Sequence, residues 1–377
     1  MSDALSRLFS QFDRGTITRR QLLQALGLAA VSIPMASYAQ GGGATRQQGD
    51  TTSAKPPFDP TGWKTISMDH FTMQCVDYEK EAAFYAALMG WTVRSDDGSK
   101  AVLDIGDDVG TVILRGGLEA PPAPAPQPVD TSAGGRGRGG NRAPVTAVWD
   151  SFTWGIDDWD RKKVEAELKK RGLNPVLDTS MGYDRFHLVD PGNFDVYLTD
   201  GKRKNRRGKG TASLKAPAPF DSTGWKTVWL DHISFACPSY KESVAFYSAL
   251  LGWKPGRDTG SQNEVEIGEL GNAIIRGGGG GGGGRGRGGG GDTTGRGAQP
   301  APPQMRKALI NHIAFGIQPF DPDKVADELK KRGLQASVDT GGGGDIHTAN
   351  YKSYHTRTPG NWDLQISANT KASRNAR

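Results

Sequence analysis

The sequence predicts an α+β fold in which four β-α-β-β-β modules pair into two tandem domains. The first observation is a duplication, because FDPTGWKTISMDHF at 58–71 returns as FDSTGWKTVWLDHI at 220–233. The second is that each unit of about 150 residues divides into two similar quarters, each starting with an apolar strand and an amphipathic helix. The third is the short alternating segments that follow the helices, which are typical of half-buried strands.

The duplication extends over most of each unit, so it defines the domains. Its other matched segments are AAFYAALMGW at 82–91 with VAFYSALLGW at 244–253, LRGG at 114–117 with IRGG at 275–278, AELKKRGL at 166–173 with DELKKRGL at 327–334, and DPGNFDVYL at 190–198 with TPGNWDLQI at 358–366. The last pair has a larger offset than the others because the second unit carries a six-residue insertion before it.

The elements are clearest in the second unit. LDHISFAC at 230–237 predicts a strand, and YKESVAFYSALLG at 240–252 predicts a helix that ends at Gly252. Three short strands should follow this helix, of which VEIGEL at 265–270 and NAIIRG at 272–277 are visible. The predicted buried stripe of the helix consists of Val244, Phe246, Tyr247, Leu250 and Leu251.

The last quarter repeats this order. INHIAFGI at 310–317 predicts a strand, and DPDKVADELKKRGL at 321–334 predicts a helix. Asp321 is the expected N-cap of that helix, and Pro322 suits its first turn because proline lacks the amide hydrogen that would be unpaired there.

The N-terminal segment predicts an export signal. TRRQLLQALGL at 18–28 places Arg19 and Arg20 before an apolar stretch of about fifteen residues, which is short for a membrane span. This pattern resembles a twin-arginine signal with cleavage after Ala39, and it implies a periplasmic protein without a stable membrane anchor. An ordinary amphipathic N-terminal helix is the alternative.

The basic character of the chain lies mainly in linkers. The formal charge of +6 comes largely from KRKNRRGKG at 202–210 and from arginines in the glycine-rich tracts at 120–144 and 277–303. Glycine runs are costly to order, and these tracts lack interleaved aromatic residues for base stacking. The sequence therefore predicts solvated connectors and no nucleic-acid partner. Cys75 and Cys237 occupy matching positions of the repeat and are predicted to be core residues rather than a disulfide.

The motifs together resemble the vicinal oxygen chelate (VOC) superfamily, the glyoxalase, bleomycin-resistance and extradiol dioxygenase type. They are a strand beginning with Asp-His, a helix carrying Phe-Tyr and ending in Leu-Gly-Trp, and a final strand introduced by Pro-Gly-Asn. The resemblance implies that two modules enclose a cup, with metal ligands on the first and fourth strands of each module. It covers nearly all of 63–200 and 225–368.

The resemblance implies a metal site in the second unit, with His232, His312 and Gln365 as ligands. Such a set would hold a divalent ion, with Fe(II), Mn(II), Zn(II) and Ni(II) all left open. A fourth ligand, expected among residues 273–275, is absent. The departure from the family is Gln365, a neutral amide where glutamate is usual, so the ion should be held less tightly.

The first unit departs further from the family. His70, Ser151 and Tyr197 occupy the three ligand positions, so one imidazole stands beside a hydroxyl and a phenol. A lone histidine on a strand is more often a hydrogen-bonded core residue than a metal ligand. The first domain is therefore expected to have a degenerate metal site and to act as a scaffold or binding cup.

Two other histidines precede the last strand in DIHTANYKSYHTRTPGN. His355 is the candidate catalytic residue, because a histidine beside the ligand strand could move a proton from a bound hydroxyl group. Its alignment with His187 of the first unit favours a shared structural role instead. His347 lies in the insertion and could be a substitute ligand or an exposed loop residue.

The resemblance, together with the export signal, implies an exported VOC metalloprotein, a metal-dependent lyase or extradiol-type dioxygenase acting on a small oxygen-chelating substrate. The alternative is a non-catalytic small-molecule-binding protein of the bleomycin-resistance type. The oligomeric state stays open. The predicted organisation is a signal peptide at 1–39, a linker at 40–62, the first domain at 63–201, a basic linker at 202–222, the second domain at 223–369 and a tail at 370–377.

Overall fold

The computed structural model describes residues 53–120, 144–203, 212–277, 307–341, 351–368 and 370. The predicted export signal, most of the three basic linker tracts and His347 lie outside the described residues. All described residues belong to one compact unit. Within them, no helix combines the length and apolar character needed to cross a membrane.

The described chain forms two eight-stranded sheets with four helices, which confirms the predicted α+β fold of four β-α-β-β-β modules. The first sheet and its helices comprise β1 (Thr65–Cys75), α1 (Tyr78–Met89), β2 (Thr92–Asp96), β3 (Lys100–Ile105), β4 (Gly110–Arg115), β5 (Ala147–Ile156), α2 (Arg161–Lys170), β6 (Val176–Asp178), β7 (Arg185–Val189) and β8 (Asp195–Asp200). The second comprises β9 (Lys226–Cys237), α3 (Tyr240–Leu251), β10 (Lys254–Asp258), β11 (Gln262–Ile267), β12 (Gly271–Gly277), β13 (Leu309–Gln318), α4 (Pro322–Lys331), β14 (Ser337–Asp339), β15 (Ser353–Arg357) and β16 (Asp363–Ser367).

Both sheets have the same strand order, and that order places the predicted ligand strands at the centre. In the second sheet the order is β10-β11-β12-β9-β13-β16-β15-β14. The first strands of its two modules, β9 and β13, pair antiparallel, while the last strands β12 and β16 run parallel to them. Side chains from β9, β13 and β16 can therefore meet on one face.

Local sequence signals fix the helix ends. Ser239 precedes α3, and Gly252 follows it in the left-handed conformation with φ of 67°, as expected for a helix C-terminus. The Asp321 side chain accepts hydrogen bonds from the amides of Asp323 and Lys324, so it is the predicted N-cap of α4. The predicted buried stripe of α3 and both cysteines are buried.

Two strand assignments differ from the sequence-based expectation. The strand predicted at 265–270 is β11, which ends at Ile267 because Gly268 takes a positive φ of 51° and starts a turn. β10 was not visible in the sequence because it is an exposed edge strand, KPGRD, without apolar alternation.

The two repeats share one hydrophobic core. Phe152 of the first sheet packs within 6.4 Å of Phe235, Tyr247 and Trp253 of the second repeat, measured between ring centroids. The side chains of Tyr247 and Trp253 stack with their ring centroids 4.7 Å apart. The interface is therefore a continuation of the domain cores and contributes hydrophobic stabilisation to both.

The duplicated TGWKT motif of each repeat also forms hydrogen bonds with the C-terminal end of a helix in the other repeat. Thr61 donates to the carbonyl of Leu250, and Trp253 donates to the Thr65 hydroxyl. The Thr65 hydroxyl in turn donates to the carbonyl of Leu251, so the two threonines satisfy carbonyl groups that have no partner within the helix's last turn. Matching bonds run in the opposite direction, from Thr223 to Leu88 (2.7 Å) and from Trp91 to Thr227 (2.9 Å).

The interface between the repeats contains two buried carboxylates, each of which accepts a hydrogen bond from the second repeat. The two do not occupy equivalent positions of the repeat. Glu81 on α1 accepts from the Thr358 hydroxyl of the second repeat, at 3.1 Å. On the other side, Asp190 accepts from Tyr247, at 2.8 Å. In the repeat alignment Glu81 corresponds to Ser243, and Asp190 corresponds to Thr358. Burial is the main cause that raises the pKa of Glu81 to about 7.

Candidate metal centre

Two imidazoles meet at the centre of the second sheet. His232 on β9 and His312 on β13 have their Nε2 atoms 3.1 Å apart. His232 is fully buried and His312 is nearly so, with 8% of its surface exposed. Two nitrogen ligands bound at right angles to one ion, each at about 2.1 Å, would lie about 3 Å apart. The separation therefore fits adjacent ligands of a single cation.

Gln365 lies on β16, next to β13 in the sheet. Its Nε2 donates to the Ser353 hydroxyl at 2.6 Å and to the Tyr351 hydroxyl at 3.1 Å, and it faces Asp339 at 3.4 Å. A carboxylate can only accept, so Asp339 fixes which end of the amide is the nitrogen. The other end, Oε1, is buried and has no hydrogen-bond partner among the described residues. A cation would satisfy this oxygen, so the residues present fit a metal ion.

His355 on β15 stands beside this group. Its Nδ1 donates to Asp363 at 2.9 Å, and its Nε2 lies 3.7 Å from Asp339. Its ring is perpendicular to that of His312, with centroids 5.0 Å apart. Burial lowers the pKa of His355, but the hydrogen bonds and charges of Asp339 and Asp363 outweigh burial and raise it to about 9. The His355 ring therefore carries a proton on both nitrogens, and a positive charge, at neutral pH.

A second set of buried polar groups lies beside His232. Asp231, which is fully buried, accepts from Ser367 and from the Tyr351 hydroxyl, the latter at 3.3 Å. Its other oxygen lies 3.6 Å from Nδ1 of His232. This separation is longer than a hydrogen bond, so the contact between Asp231 and His232 is electrostatic.

The fourth family position is apolar in this chain. Parallel pairing places Asn272 of β12 beside His232, and Ile274 occupies the position equivalent to Gln365 on β16. Ile274 is fully buried and offers no donor atom.

The first sheet has a different arrangement around His70. Arginine can only donate, so Nη1 of Arg185, at 3.0 Å, makes His70 Nε2 the acceptor, and Nδ1 donates to Asp69 at 2.7 Å. The guanidinium also lies over the ring of Tyr197, 4.0 Å from its centroid, and pairs with Asp178 at 2.7 Å. Burial is the main cause that lowers the pKa of His70, so its imidazole is neutral.

An arginine of the first sheet stands where the second sheet has a serine. Arg185 corresponds to Ser353 in the repeat alignment, and Ser151 corresponds to His312. In the first sheet a protein-borne cation lies between His70 and Tyr197, whereas a short hydroxyl stands at that position in the second. The replacement of Arg185 by Ser353 was not predicted from the sequence, although the alignment of YDRFH at 183–187 with YKSYH at 351–355 shows it directly.

Comparison with known proteins agrees with the fold. Residues 229–366 match the family model of the Glyoxalase/Bleomycin resistance protein/Dioxygenase superfamily. A search of curated proteins gives no match.

Solved structures that resemble the chain include a glyoxalase and two dioxygenases. The Mn(II)-bound glyoxalase from Novosphingobium aromaticivorans is 17% identical, with a TM-score of 0.54 over 82% of this chain and 84% of that chain. The 2,3-dioxygenase LapB from Pseudomonas sp. KL28 is 12% identical, with a TM-score of 0.52 over 81% and 92%. Homoprotocatechuate 2,3-dioxygenase from Arthrobacter globiformis is 15% identical, with a TM-score of 0.52 over 82% and 81%. At these identities the likeness concerns the fold. The described chain thus has the fold of two tandem VOC domains, and residues 229–366 in its second half are similar to the Glyoxalase/Bleomycin resistance protein/Dioxygenase superfamily.

Proposed function

We propose that the protein is a divalent-metal-dependent enzyme whose site lies in the second domain. The observation that carries the proposal is the pair of buried imidazoles, His232 and His312, with Nε2 atoms 3.1 Å apart. Gln365, at the family's glutamate position, is the predicted oxygen ligand. A bound ion would act as a Lewis acid and as a template for a chelating substrate.

The first domain supports this proposal as an internal comparison. The fold places a positive charge against His70 there, supplied by Arg185, and balances it with Asp178. The second domain keeps the corresponding carboxylate, Asp339, but has Ser353 in place of the arginine. A bound cation would supply positive charge there in addition to that of the protonated His355.

The proposed substrate is a small molecule with adjacent oxygen donors, and the reaction is a lyase or extradiol-type ring-cleavage reaction. His355 would hold the proton that is exchanged with a substrate hydroxyl, because it lies beside His312 and remains protonated between two carboxylates. The proposal covers Fe(II), Mn(II), Zn(II) and Ni(II), and no nucleic-acid partner is invoked.

A second candidate is a small-molecule-binding protein without turnover. It is favoured by the neutral amide of Gln365, since an ion lacking a carboxylate at that position is held less tightly. Turnover of catechols or of other substrates with adjacent oxygens by the metal-loaded protein would exclude this alternative.

We expect His312→Ala to remove the metal from protein purified without chelator, because it deletes one of the two central imidazoles. His70→Ala is the matched control and should leave metal content unchanged, since Nε2 of His70 is already bonded to Arg185. Elemental analysis of both variants and the parent protein measures this. Full metal content in His312→Ala would contradict the proposed function.

We further propose that the mature protein acts in the periplasm after twin-arginine export and cleavage after Ala39. Replacing both Arg19 and Arg20 by lysine should keep the precursor in the cytoplasm, because the paired arginines are the defining part of the signal. Fractionation followed by immunoblotting measures the distribution. Unchanged periplasmic accumulation of the double variant would refute export by this route.

A further inference from the structure

Gln365 is neutral, but a carboxylate lies one pleat away on the same strand. Residues two apart on a strand face the same side, so Asp363 and Gln365 share one face of β16. The parallel pairing sets Asp363 directly beside His312, whereas Gln365 pairs with Ala314. The chain therefore offers a negatively charged oxygen next to the central imidazole.

Asp363 belongs to a group with metal-ligand geometry. Among the His, Cys, Asp and Glu side chains that the structure describes, one group of three has its donor atoms all within 4.8 Å of one another. It consists of His312, His355 and Asp363. Nδ1 of His355 is 2.9 Å from Asp363, which is close to the separation of adjacent ligands on one ion, about 3 Å. Two imidazoles and one carboxylate form a set that holds a divalent transition-metal ion with other positions open.

The first domain contains a similar histidine and aspartate, and the comparison separates a structural pair from a ligand pair. His187 bonds Asp195 through Nε2, at 2.7 Å, whereas His355 bonds Asp363 through Nδ1. The ring of His187 lies against Tyr197, but the ring of His355 lies against His312. The histidine of the second domain is thus turned differently and has an imidazole neighbour that the first domain lacks.

We propose that Asp363, in place of Gln365, supplies the oxygen ligand, so that His312, His355 and Asp363 hold the ion. In this arrangement His355 has given up its second proton to bind the metal, so it is a ligand and not the proton carrier of the proposed reaction. This inference rests on the proposed function, because it assumes that the second domain binds a divalent ion. It differs from the family ligand set, which takes its oxygen from position 365. His232 remains the neighbour of His312 on the other side.

Cobalt(II) spectroscopy of cysteine variants tests which strand position touches the ion. A thiolate bound to Co(II) gives a sulfur-to-metal charge-transfer band, so Asp363→Cys should show this band on addition of Co(II). Gln365→Cys and the first-domain control Asp195→Cys should not. A band in Gln365→Cys, or none in an Asp363→Cys protein that still binds Co(II), would overturn the proposal.

Calorimetry on two other variants provides a second measurement if the cysteine variants fold poorly. Asp363→Asn and His355→Ala should each weaken Mn(II) binding, measured by calorimetry, by more than about 100-fold, beyond the loss caused by removing an outer-shell partner. His187→Ala should bind like the parent protein. A smaller loss in Asp363→Asn would place Asp363 behind the ligands and overturn the proposal. If only His312→Ala loses the metal, the proposed function stands and this inference fails, whereas full binding by His312→Ala removes both.

Discussion

Ser353→Arg should abolish metal binding, with the affinity for Mn(II) reduced by more than about 100-fold, beyond what loss of an outer-shell partner causes. In the first repeat the corresponding Arg185 donates to His70 and pairs with Asp178. An arginine at position 353 has the equivalent partners available, since His232 and Asp339 correspond to His70 and Asp178. Its charge would repel a divalent ion from the same space.

Ser353→Ala is the matched control for this variant. It removes only the hydroxyl that accepts from Gln365, at 2.6 Å, and should weaken binding far less. Calorimetric titration of the metal-free proteins compares the two, and circular dichroism checks that both are folded. Tight Mn(II) binding by Ser353→Arg would show that the ion lies away from the position equivalent to the Arg185 guanidinium.

Gly252→Ala should destabilise the protein by more than about 3 kcal/mol, whereas Gly333→Ala should cost about 1 kcal/mol. Both glycines follow a helix and take left-handed conformations, with φ of 67° and 70°, so the backbone strain of the substitution is similar. They differ in their surroundings. A Cβ at Gly252 would overlap the Trp63 carbonyl oxygen of the other repeat, while a Cβ at Gly333 meets no atom within 4 Å.

The expected difference measures how closely the two repeats are joined. To accept a methyl group at Gly252, the backbone at Trp63 and Lys64 must move away from the end of α3. That movement would strain the hydrogen bonds that Thr61 and Thr65 make to the same helix end. Chemical denaturation of the two variants gives the free energies of unfolding. Equal losses would mean that the contact yields at little cost.

The repeat and its periodicities were sufficient to predict the architecture. The Asp-His strands, the Phe-Tyr helices and the Pro-Gly-Asn turns can each be predicted from their own residues, because apolar spacing, helix capping and turn chemistry are local signals. Short edge strands such as β10 carry no such pattern, because neither face of KPGRD is buried. The reciprocal contacts between repeats could not be read from the sequence, since they join residues nearly 190 positions apart, such as Thr61 and Leu250.

The candidate site was predictable in part. The positions of His232, His312 and Gln365 followed from the family resemblance, and the structure brings the two histidines together. Whether their placement serves a metal stays a prediction. The contributions of Asp339 and Asp363 depend on strand register, which decides which side chain faces which neighbour. A single sequence does not fix register to one residue, so these carboxylates emerged only from the paired strands.

The exchanged carboxylates at the interface determine which partner each repeat can accept. If two copies of the first repeat paired as the two repeats do here, Glu81 of each copy would face Asp190 of the other, and two buried carboxylates would oppose each other. In the natural pairing, Glu81 faces Thr358 and Asp190 faces Tyr247, so each acid meets a hydroxyl donor. The two halves have thus become complementary rather than interchangeable. Self-association of the first half is disfavoured by these opposed carboxylates. The covalent chain therefore joins two halves whose interface groups already favour pairing with each other.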